Sequence, residues 1–93
     1  MLTERAATFS AGGLFFRPAS RIVRDLGVLA LSVLATSRPS DAPPLRVLDA
    51  MAGSGGRALR YLLEVPQVGT AVANDSSQLA LAAIGTNALL SGL

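Results

Sequence analysis

Apolar residues recur at helical spacing in the first half of the chain. One stripe with steps of four, three and four is formed by Ile22, Leu26, Leu29 and Val33. This pattern predicts an amphipathic helix over residues 20–36 with Ser20 as its N-cap and the stripe as its packed face. The longest apolar run, residues 26–35, has only about half of the ~20 residues that a membrane span requires. We therefore expect a buried helix and no membrane partner.

Two short apolar segments precede this helix. Residues 6–10 and 14–17 lie on either side of Ala11-Gly12-Gly13, which predicts a β-hairpin with a glycine turn. Pro18 is expected to end the second strand. After the helix, residues 37–44 contain three prolines among small polar residues, so they are predicted to form a loop.

The second half alternates between buried strands and helices. The predicted elements are a strand over residues 45–49, a helix over 56–64, a strand over 70–74, and a final helix capped by Ser76 or Ser77. Leu79 and Leu90 are expected on the inward face of that last helix. The order predicts a right-handed β-α-β unit and an α/β fold with a parallel, doubly wound sheet of the Rossmann-like kind.

The predicted organisation is one incomplete domain. Residues 1–44 would supply the hairpin, helix and loop, and residues 45–93 the cofactor-binding unit. A complete nucleotide-binding α/β domain is larger than 93 residues, and the chain stops where a third strand would be expected. We therefore expect a fragment.

Composition excludes several kinds of chemistry. The chain has neither cysteine nor histidine, which removes disulfides, thiol nucleophiles, imidazole bases and the usual zinc ligands. We expect no metal site.

All eight basic residues are arginine and the net charge is +2, which is weak support for nucleic-acid binding because a basic footprint should be clustered. The first residues do not form a signal peptide, so we expect a soluble intracellular protein in a compartment that the sequence leaves open.

The segment most informative about function is the glycine-rich stretch at residues 47–57. Asp49 would lie at the carboxyl end of a buried strand, and Gly53 and Gly55 permit positive φ and close approach of a ligand to the backbone. Asp75 ends the next apolar segment, twenty residues beyond Gly55. At that spacing a carboxylate can accept hydrogen bonds from two ribose hydroxyls.

Two classes of ligand fit this arrangement. The motif Gly53-x-Gly55-x-x-Ala58 satisfies a relaxed dinucleotide fingerprint, so an NAD-dependent oxidoreductase fragment is one interpretation. Asp49 lies four residues before the first glycine, and this spacing is seen in enzymes that use S-adenosylmethionine. A third interpretation is a non-catalytic nucleotide-binding module, and a structural one is that Asp49 and Asp75 only cap turns and helix ends.

Four separate blocks of the sequence form a recognisable order. They are Phe15-Phe16-Arg17-Pro18, Val23-Arg24-Asp25-Leu26, the stretch from Val47 to Tyr61, and Val72-Ala73-Asn74-Asp75. Together they resemble the amino-terminal part of the tRNA guanine-26 N2-dimethyltransferases. The resemblance covers residues 13–93 and implies a partial class I methyltransferase domain. The sequence departs from the family pattern at Arg17, Val23 and Gly27, where the family has Asn, Asn and Ser.

The resemblance implies a cofactor and a set of residues that contact it. S-adenosyl-L-methionine would be contacted by Arg24, Arg57 and Asp75, with Phe16 lining the pocket, and an arginine could bind the methionine carboxylate in bidentate fashion. The implied partner is tRNA, held mostly by regions outside this sequence. The family's Asp-Pro-Phe-Gly block, which faces the target base, does not occur in the 93 residues. We therefore expect no catalytic residue here and no activity of the chain alone.

Overall fold

The computed structural model describes residues 1–10, 14 and 16–93. The first half contains β1 (Leu2–Glu4), β2 (Ala7–Phe9), a short 3₁₀ turn (Pro18–Ser20) and helix α1 (Arg21–Thr36). The second half alternates through β3 (Leu45–Asp49), α2 (Gly56–Glu64), β4 (Val68–Ala73) and α3 (Gln78–Leu90). The predicted α/β class is confirmed.

Strands β3 and β4 form a small parallel sheet. Arg46 pairs with Thr70 and Asp49 with Ala73, with an irregularity in register next to Leu45. Parallel strands need a crossover between them, and α2 provides it. Because both strands run the same way, the residues that follow them come together at one edge of the sheet, and the candidate site lies there.

Among the residues that the structure describes, two apolar clusters form the core. Ala35, Val65 and Val68 are buried together, with Leu31 and Val47 packed against them. This cluster joins α1 and the end of α2 to the inner face of the sheet. The second cluster is composed of Ala7, Phe9 and Leu59, and it attaches the N-terminal strands to α2.

Helix α1 has nearly the predicted bounds but buries a different face. The stripe predicted to pack inward is more than half exposed: Ile22 66%, Leu26 59%, Leu29 59% and Val33 62%. The buried positions are Arg24 and Ala35, and Val28 and Leu31 pack partly against the core. The prediction was wrong because the helix is apolar around most of its circumference, so periodicity did not identify the packed face.

Helix α1 begins without a side-chain cap and packs closely against α2. Ser20 occupies the N-cap position, but its side chain makes no capping hydrogen bond. A Cβ atom at Gly27 would lie 2.8 Å from the Tyr61 hydroxyl, so the glycine allows α2 to approach closely. Within the part of the chain described, no helix is long and apolar enough to cross a membrane.

The N-terminal hairpin exists, but its strands are not the predicted pair. Strand β2 lies within the first predicted segment, yet its antiparallel partner is β1, with Glu4 opposite Ala7. Arg5 in the connecting turn has φ 53°, and nothing in the local sequence marks this as a glycine-type turn. Phe16 and Arg17 are not in a strand, and Pro18 begins the 3₁₀ turn. The predicted glycine turn at residues 11–13 lies outside the described residues, as does Phe15.

Helix α3 also packs differently from the sequence prediction. Its buried residues are Ala80 and Asn87, whereas Leu79 is 77% and Leu90 39% exposed. The buried asparagine is stabilised by three hydrogen bonds to other segments. A polar side chain with all its partners in place can therefore define the packed face of a helix as well as leucine does.

Candidate cofactor-binding site

A cavity of about 480 Å³ lies beside the carboxyl ends of the two parallel strands. Six of the seven predicted site residues line it: Phe16, Arg24, Asp49, Gly53, Arg57 and Asp75. The sequence analysis did not identify the other lining residues: Leu14, Arg17, Ser20, Met51, Ala52, Ser54, Gly56, Ser77 and Ala80. The cavity has the size of small-molecule and cofactor sites, which run from about 300 to 1,000 Å³.

The glycine-rich turn forms one wall of this cavity. Gly53 and Gly55 have φ values of 57° and 85°, in the left-handed region that side chains disfavour. Gly55 occupies the N-cap position of α2 and does not itself line the cavity. A Cβ atom there would lie 3.2 Å from Cγ1 of Ile84 on α3. Gly55 therefore shapes the turn by allowing α3 to pack directly against it.

Asp75 links the ends of the two strands. Its Oδ2 accepts a hydrogen bond from the Gly53 amide at 3.0 Å, and its Oδ1 accepts one from the Ser77 amide at 2.9 Å. The amides of Ser77 and Gly53 hold the pKa of the Asp75 carboxyl below its usual value. The carboxylate is therefore ionised at neutral pH, and each oxygen keeps a further lone pair for a ligand.

The cap of α3 is a separate residue. Ser77 is the N-cap, and its hydroxyl accepts a hydrogen bond from the Ala80 amide at 3.2 Å. The sequence had left Ser76 and Ser77 as alternatives, and the structure selects Ser77. Asp75 therefore does not have to act as the cap.

Asp49 is in the opposite electrostatic state. It is the last residue of β3 and is only partly exposed. Burial raises the pKa of the Asp49 carboxyl above its usual value, and the positive charge of Arg57 only partly opposes this. A desolvated carboxylate of this kind would be stabilised by a cationic ligand group.

Arg24 reaches the cavity from helix α1 and is held by two neighbours. Its Nε and Nη2 donate hydrogen bonds to the two carboxylate oxygens of Glu4, each at 2.8 Å. Its guanidinium carbon lies 4.4 Å from the centre of the Phe16 ring, a cation–π distance. Phe16 in turn packs edge to face on Phe9, with ring centres 5.0 Å apart. Arg24 is therefore a buried, fixed cation rather than a surface partner of Asp25.

A buried ionic cluster lies behind Arg24. Arg60, which is 1% exposed, donates to Glu4 at 3.0 Å and to both oxygens of Glu64 at 2.8 and 3.0 Å. Its Nη1 also lies 2.7 Å from Oδ1 of Asp25, although the two groups are not aligned as a hydrogen bond. Glu64 is the main cause of the raised pKa of Arg60. The cluster therefore connects β1, α1 and α2 through charges.

Asn87 was also missed by the sequence analysis. Its Nδ2 donates to the carbonyl of Ser54 in the glycine turn at 2.8 Å and to that of Ser10 at 3.0 Å. Its Oδ1 accepts from the Ser10 amide at 2.8 Å. One buried side chain thus joins the end of β2, the glycine turn and α3. No short-range motif marks it, because its partners are 77 and 33 residues away.

Comparison with known proteins identifies relatives of the chain. Residues 2–93 match the family described as N2,N2-dimethylguanosine tRNA methyltransferase. A tRNA (guanine(26)-N(2))-dimethyltransferase from Methanothermobacter thermautotrophicus is 38% identical over 80 residues, which are 86% of this chain and 20% of the relative. A tRNA (guanine(26)-N(2)/guanine(27)-N(2))-dimethyltransferase from Aquifex aeolicus shows the same identity and coverage.

A eukaryotic relative agrees over a shorter region. The tRNA (guanine(26)-N(2))-dimethyltransferase of Caenorhabditis elegans is 51% identical over 49 residues, or 53% of this chain and 9% of that protein. The chain spans about a fifth of the length of the first two relatives. Since the family match extends over almost the whole sequence, the chain belongs to the N2,N2-dimethylguanosine tRNA methyltransferase family.

Proposed function

We propose that this chain forms the S-adenosylmethionine-binding part of a tRNA guanine-26 N2-dimethyltransferase with a class I, Rossmann-like methyltransferase fold. The observation that supports this most directly is that one cavity is lined by acidic, basic and aromatic side chains from every one of the resembling blocks. Family membership implies a methyl donor. The donor's identity is argued from the residues that line the cavity.

Asp75 suits the ribose of an adenosine ligand. Two vicinal hydroxyls need two acceptors held at fixed positions, and the amides of Gly53 and Ser77 fix both carboxylate oxygens. An ionised carboxylate has about four lone-pair positions, so two hydroxyl donors can be added without breaking either amide contact. The hydrogen bonds already present orient Asp75 for a ligand rather than saturate it.

The remaining charges suit the amino-acid end of the same ligand. Asp49 is a partly desolvated carboxylate at the cavity wall, which favours a cationic amino group. Arg24 and Arg57 also line the cavity and favour a carboxylate. S-adenosylmethionine carries both charges on its methionine portion, whereas NAD lacks this amino acid.

When bound, S-adenosylmethionine would supply a sulfonium methyl group for transfer to the exocyclic amine of a tRNA guanine. The residues of this chain would hold and orient the ligand, and the methyl acceptor would be tRNA. We assign the acceptance of the amine proton to none of these residues, because the Asp-Pro-Phe-Gly block that faces the target base in the family does not occur among the 93 residues. Transfer by the 93 residues alone is therefore not expected.

Calorimetry on the 93-residue chain tests the proposed cofactor. Titration with S-adenosylhomocysteine is expected to show saturable binding, and titration with NAD is expected to show none. Binding of NAD alone would favour an oxidoreductase fragment. A folded chain that binds neither ligand would support a non-catalytic module instead.

A methylation assay tests whether the 93-residue chain can transfer a methyl group to tRNA by itself. Incubation of the isolated chain with tRNA and methyl-labelled S-adenosylmethionine is expected to leave the tRNA unlabelled. Labelled dimethylguanosine in the tRNA would show that the chain contains its own catalytic residues and would overturn this part of the proposal.

A further inference from the structure

One buried carboxylate lies next to the cavity without lining it and pairs with two arginines. Glu4, at the end of β1, is 5% exposed. Its Oε1 accepts from Nη2 of Arg24, and its Oε2 accepts from Nε of Arg24 and Nη1 of Arg60, at distances of 2.8, 2.8 and 3.0 Å. Hydrogen bonds from Arg24 are the main reason why the pKa of the Glu4 carboxyl is below its usual value, against the effect of burial.

These contacts fix the plane of the Arg24 guanidinium. Two parallel N–H···O bonds to one carboxylate define both the distance and the orientation of an arginine. Nη2 makes a further bond to the carbonyl of Arg17 at 3.2 Å, and the Phe16 ring packs against the guanidinium face. Among the described residues, the hydrogen-bond partners of Arg24 occupy Nε and Nη2 and leave Nη1 as the donor for a ligand in the cavity that Arg24 lines.

Glu4 also separates two buried cations. Arg24 and Arg60 both bond to it, and neither is more than 7% exposed. Without the carboxylate, the two guanidinium groups would repel each other at low dielectric. Arg60 would keep Glu64 and Asp25 as partners, whereas Arg24 would lose the only carboxylate paired with it among the described residues. Arg24 is therefore the group whose position depends on Glu4.

We propose that Glu4 is a positioning residue that orients Arg24 toward the carboxylate end of the ligand in the cavity. This inference rests on the proposed function, because it takes S-adenosylmethionine as that ligand. Glu4 itself does not contact the cavity; it acts through the guanidinium that it holds. The N-terminal hairpin thereby becomes part of the binding apparatus rather than only a cover over the core.

The experiment compares Glu4→Gln with Glu64→Gln in the 93-residue chain. Both variants remove one carboxylate from Arg60, but only the first removes a partner of Arg24. Each is titrated with S-adenosylhomocysteine and with methylthioadenosine, which shares the adenosine and thioether but lacks the amino-acid end. Circular dichroism confirms that the variants are folded.

Glu4→Gln is expected to weaken S-adenosylhomocysteine binding about tenfold, the scale of one charge-assisted hydrogen bond. Its affinity for methylthioadenosine should stay within about twofold of the original, and Glu64→Gln should leave both affinities within the same limit. Equal weakening of both ligands by Glu4→Gln would show a purely structural role and would overturn the proposal. So would an unchanged affinity for both.

A second variant covers the case in which Glu4→Gln does not fold. Glu4→Asp keeps the charge but withdraws the carboxylate by one methylene, and a smaller loss confined to S-adenosylhomocysteine is expected. The unmodified chain provides the separate check on the proposed function. If it binds neither adenosine ligand, the proposed function fails at that step, and the role of Glu4 fails with it.

Discussion

The carboxyl ends of the two parallel strands have acids in opposite electrostatic states. After β4, Asp75 accepts two backbone amide hydrogen bonds and has a lowered pKa. At the end of β3, Asp49 is partly buried and has a raised pKa. Asp75 therefore stabilises the fold in its ionised form, whereas ionised Asp49 is a cost to the folded chain.

The difference distinguishes two kinds of binding residue. A carboxylate stabilised by amides is already oriented before a ligand arrives, so it can serve structure and binding together. The pKa of Asp49 stays raised although Arg57 and backbone amides act against burial, so a cationic ligand group would add the counter-charge that this carboxylate lacks, a pattern found at functional sites. Substitutions at each strand end test this contrast between Asp75 and Asp49.

The largest expected effect is that of Asp75→Ala on ligand binding. The variant loses both acceptors for the ribose hydroxyls, so the Kd for S-adenosylhomocysteine should rise about a hundredfold, as expected for lost hydrogen bonds to a charged acceptor. Calorimetry measures the change. Asp41→Ala, which alters an exposed acid in the proline-rich loop, is the matched control and should bind normally. An unchanged Kd for Asp75→Ala would restrict Asp75 to its structural role.

The next effect concerns the glycine turn after β3. Gly55→Ala should lower the free energy of unfolding by about 2 kcal/mol, because a left-handed residue acquires a Cβ atom that also meets Ile84 at 3.2 Å. Gly53→Ala is the matched variant, since its φ is also positive but, chain neighbours aside, no atom of the described residues lies within 4 Å of the new Cβ. It should cost about 1 kcal/mol.

Urea denaturation of the two glycine variants separates strain from packing. The midpoints should fall with unchanged slopes, and that of Gly55→Ala should fall further. Equal losses would mean that Ile84 moves aside without cost. The packing of α3 on the turn would then contribute nothing to the shape of the site.

The elements of the second half were predictable because their signals are local. The predicted strand at residues 45–49 and helix at 56–64 have the observed bounds, and the second strand is observed at Val68–Ala73 rather than 70–74. A buried strand followed by glycines needs few long-range contacts to be identified. Three residues predicted from these local signals, Asp49, Gly53 and Asp75, line the cavity. Phe16, Arg24 and Arg57 also line it, but the family resemblance and not local spacing pointed to them.

The errors in the hairpin and in the packed faces of α1 and α3 have a common physical cause. The packed side of α1 includes buried Arg24, whose carboxylate partner Glu4 is twenty residues away. The true hairpin turn contains Arg5 at positive φ, and no glycine or asparagine marks it. Neither Glu4 nor Asn87 belongs to a short motif, so their roles depend on tertiary contacts that periodicity does not encode.

A smaller effect tests the cap that follows Asp75. Ser77→Ala removes the acceptor for the Ala80 amide and should cost about 1 kcal/mol of unfolding free energy. Ser76→Ala is the control, because Ser76 is exposed, and it should stay within about 0.5 kcal/mol. Thermal or urea unfolding measures both. If the control is the more damaging variant, the assignment of the N-cap is wrong.

The smallest effect, and the one with an opposite sign, is that of Asp49→Asn. Burial holds the folded-state pKa of Asp49 above its usual value, so ionisation of Asp49 lowers stability as pH rises from the usual pKa through the folded one. At neutral pH the variant should therefore be more stable than the unmodified chain, by less than about 1 kcal/mol because solvent screens a partly exposed group. The gain should vanish in acid.

Asp75→Asn should show the reverse dependence on pH. The stability contributed by Asp75 is present above its ordinary pKa and is lost as pH falls through the lowered folded value. As pH rises through this acid range, the free energy of unfolding of Asp49→Asn should rise above that of the unmodified chain, and that of Asp75→Asn should fall below it.

Asp49→Asn should nevertheless bind S-adenosylhomocysteine more weakly, because a site residue kept for a ligand can cost stability in its absence. A less stable Asp49→Asn chain would show that Asp49, like Asp75, stabilises the fold, and the contrast between the two turns would disappear.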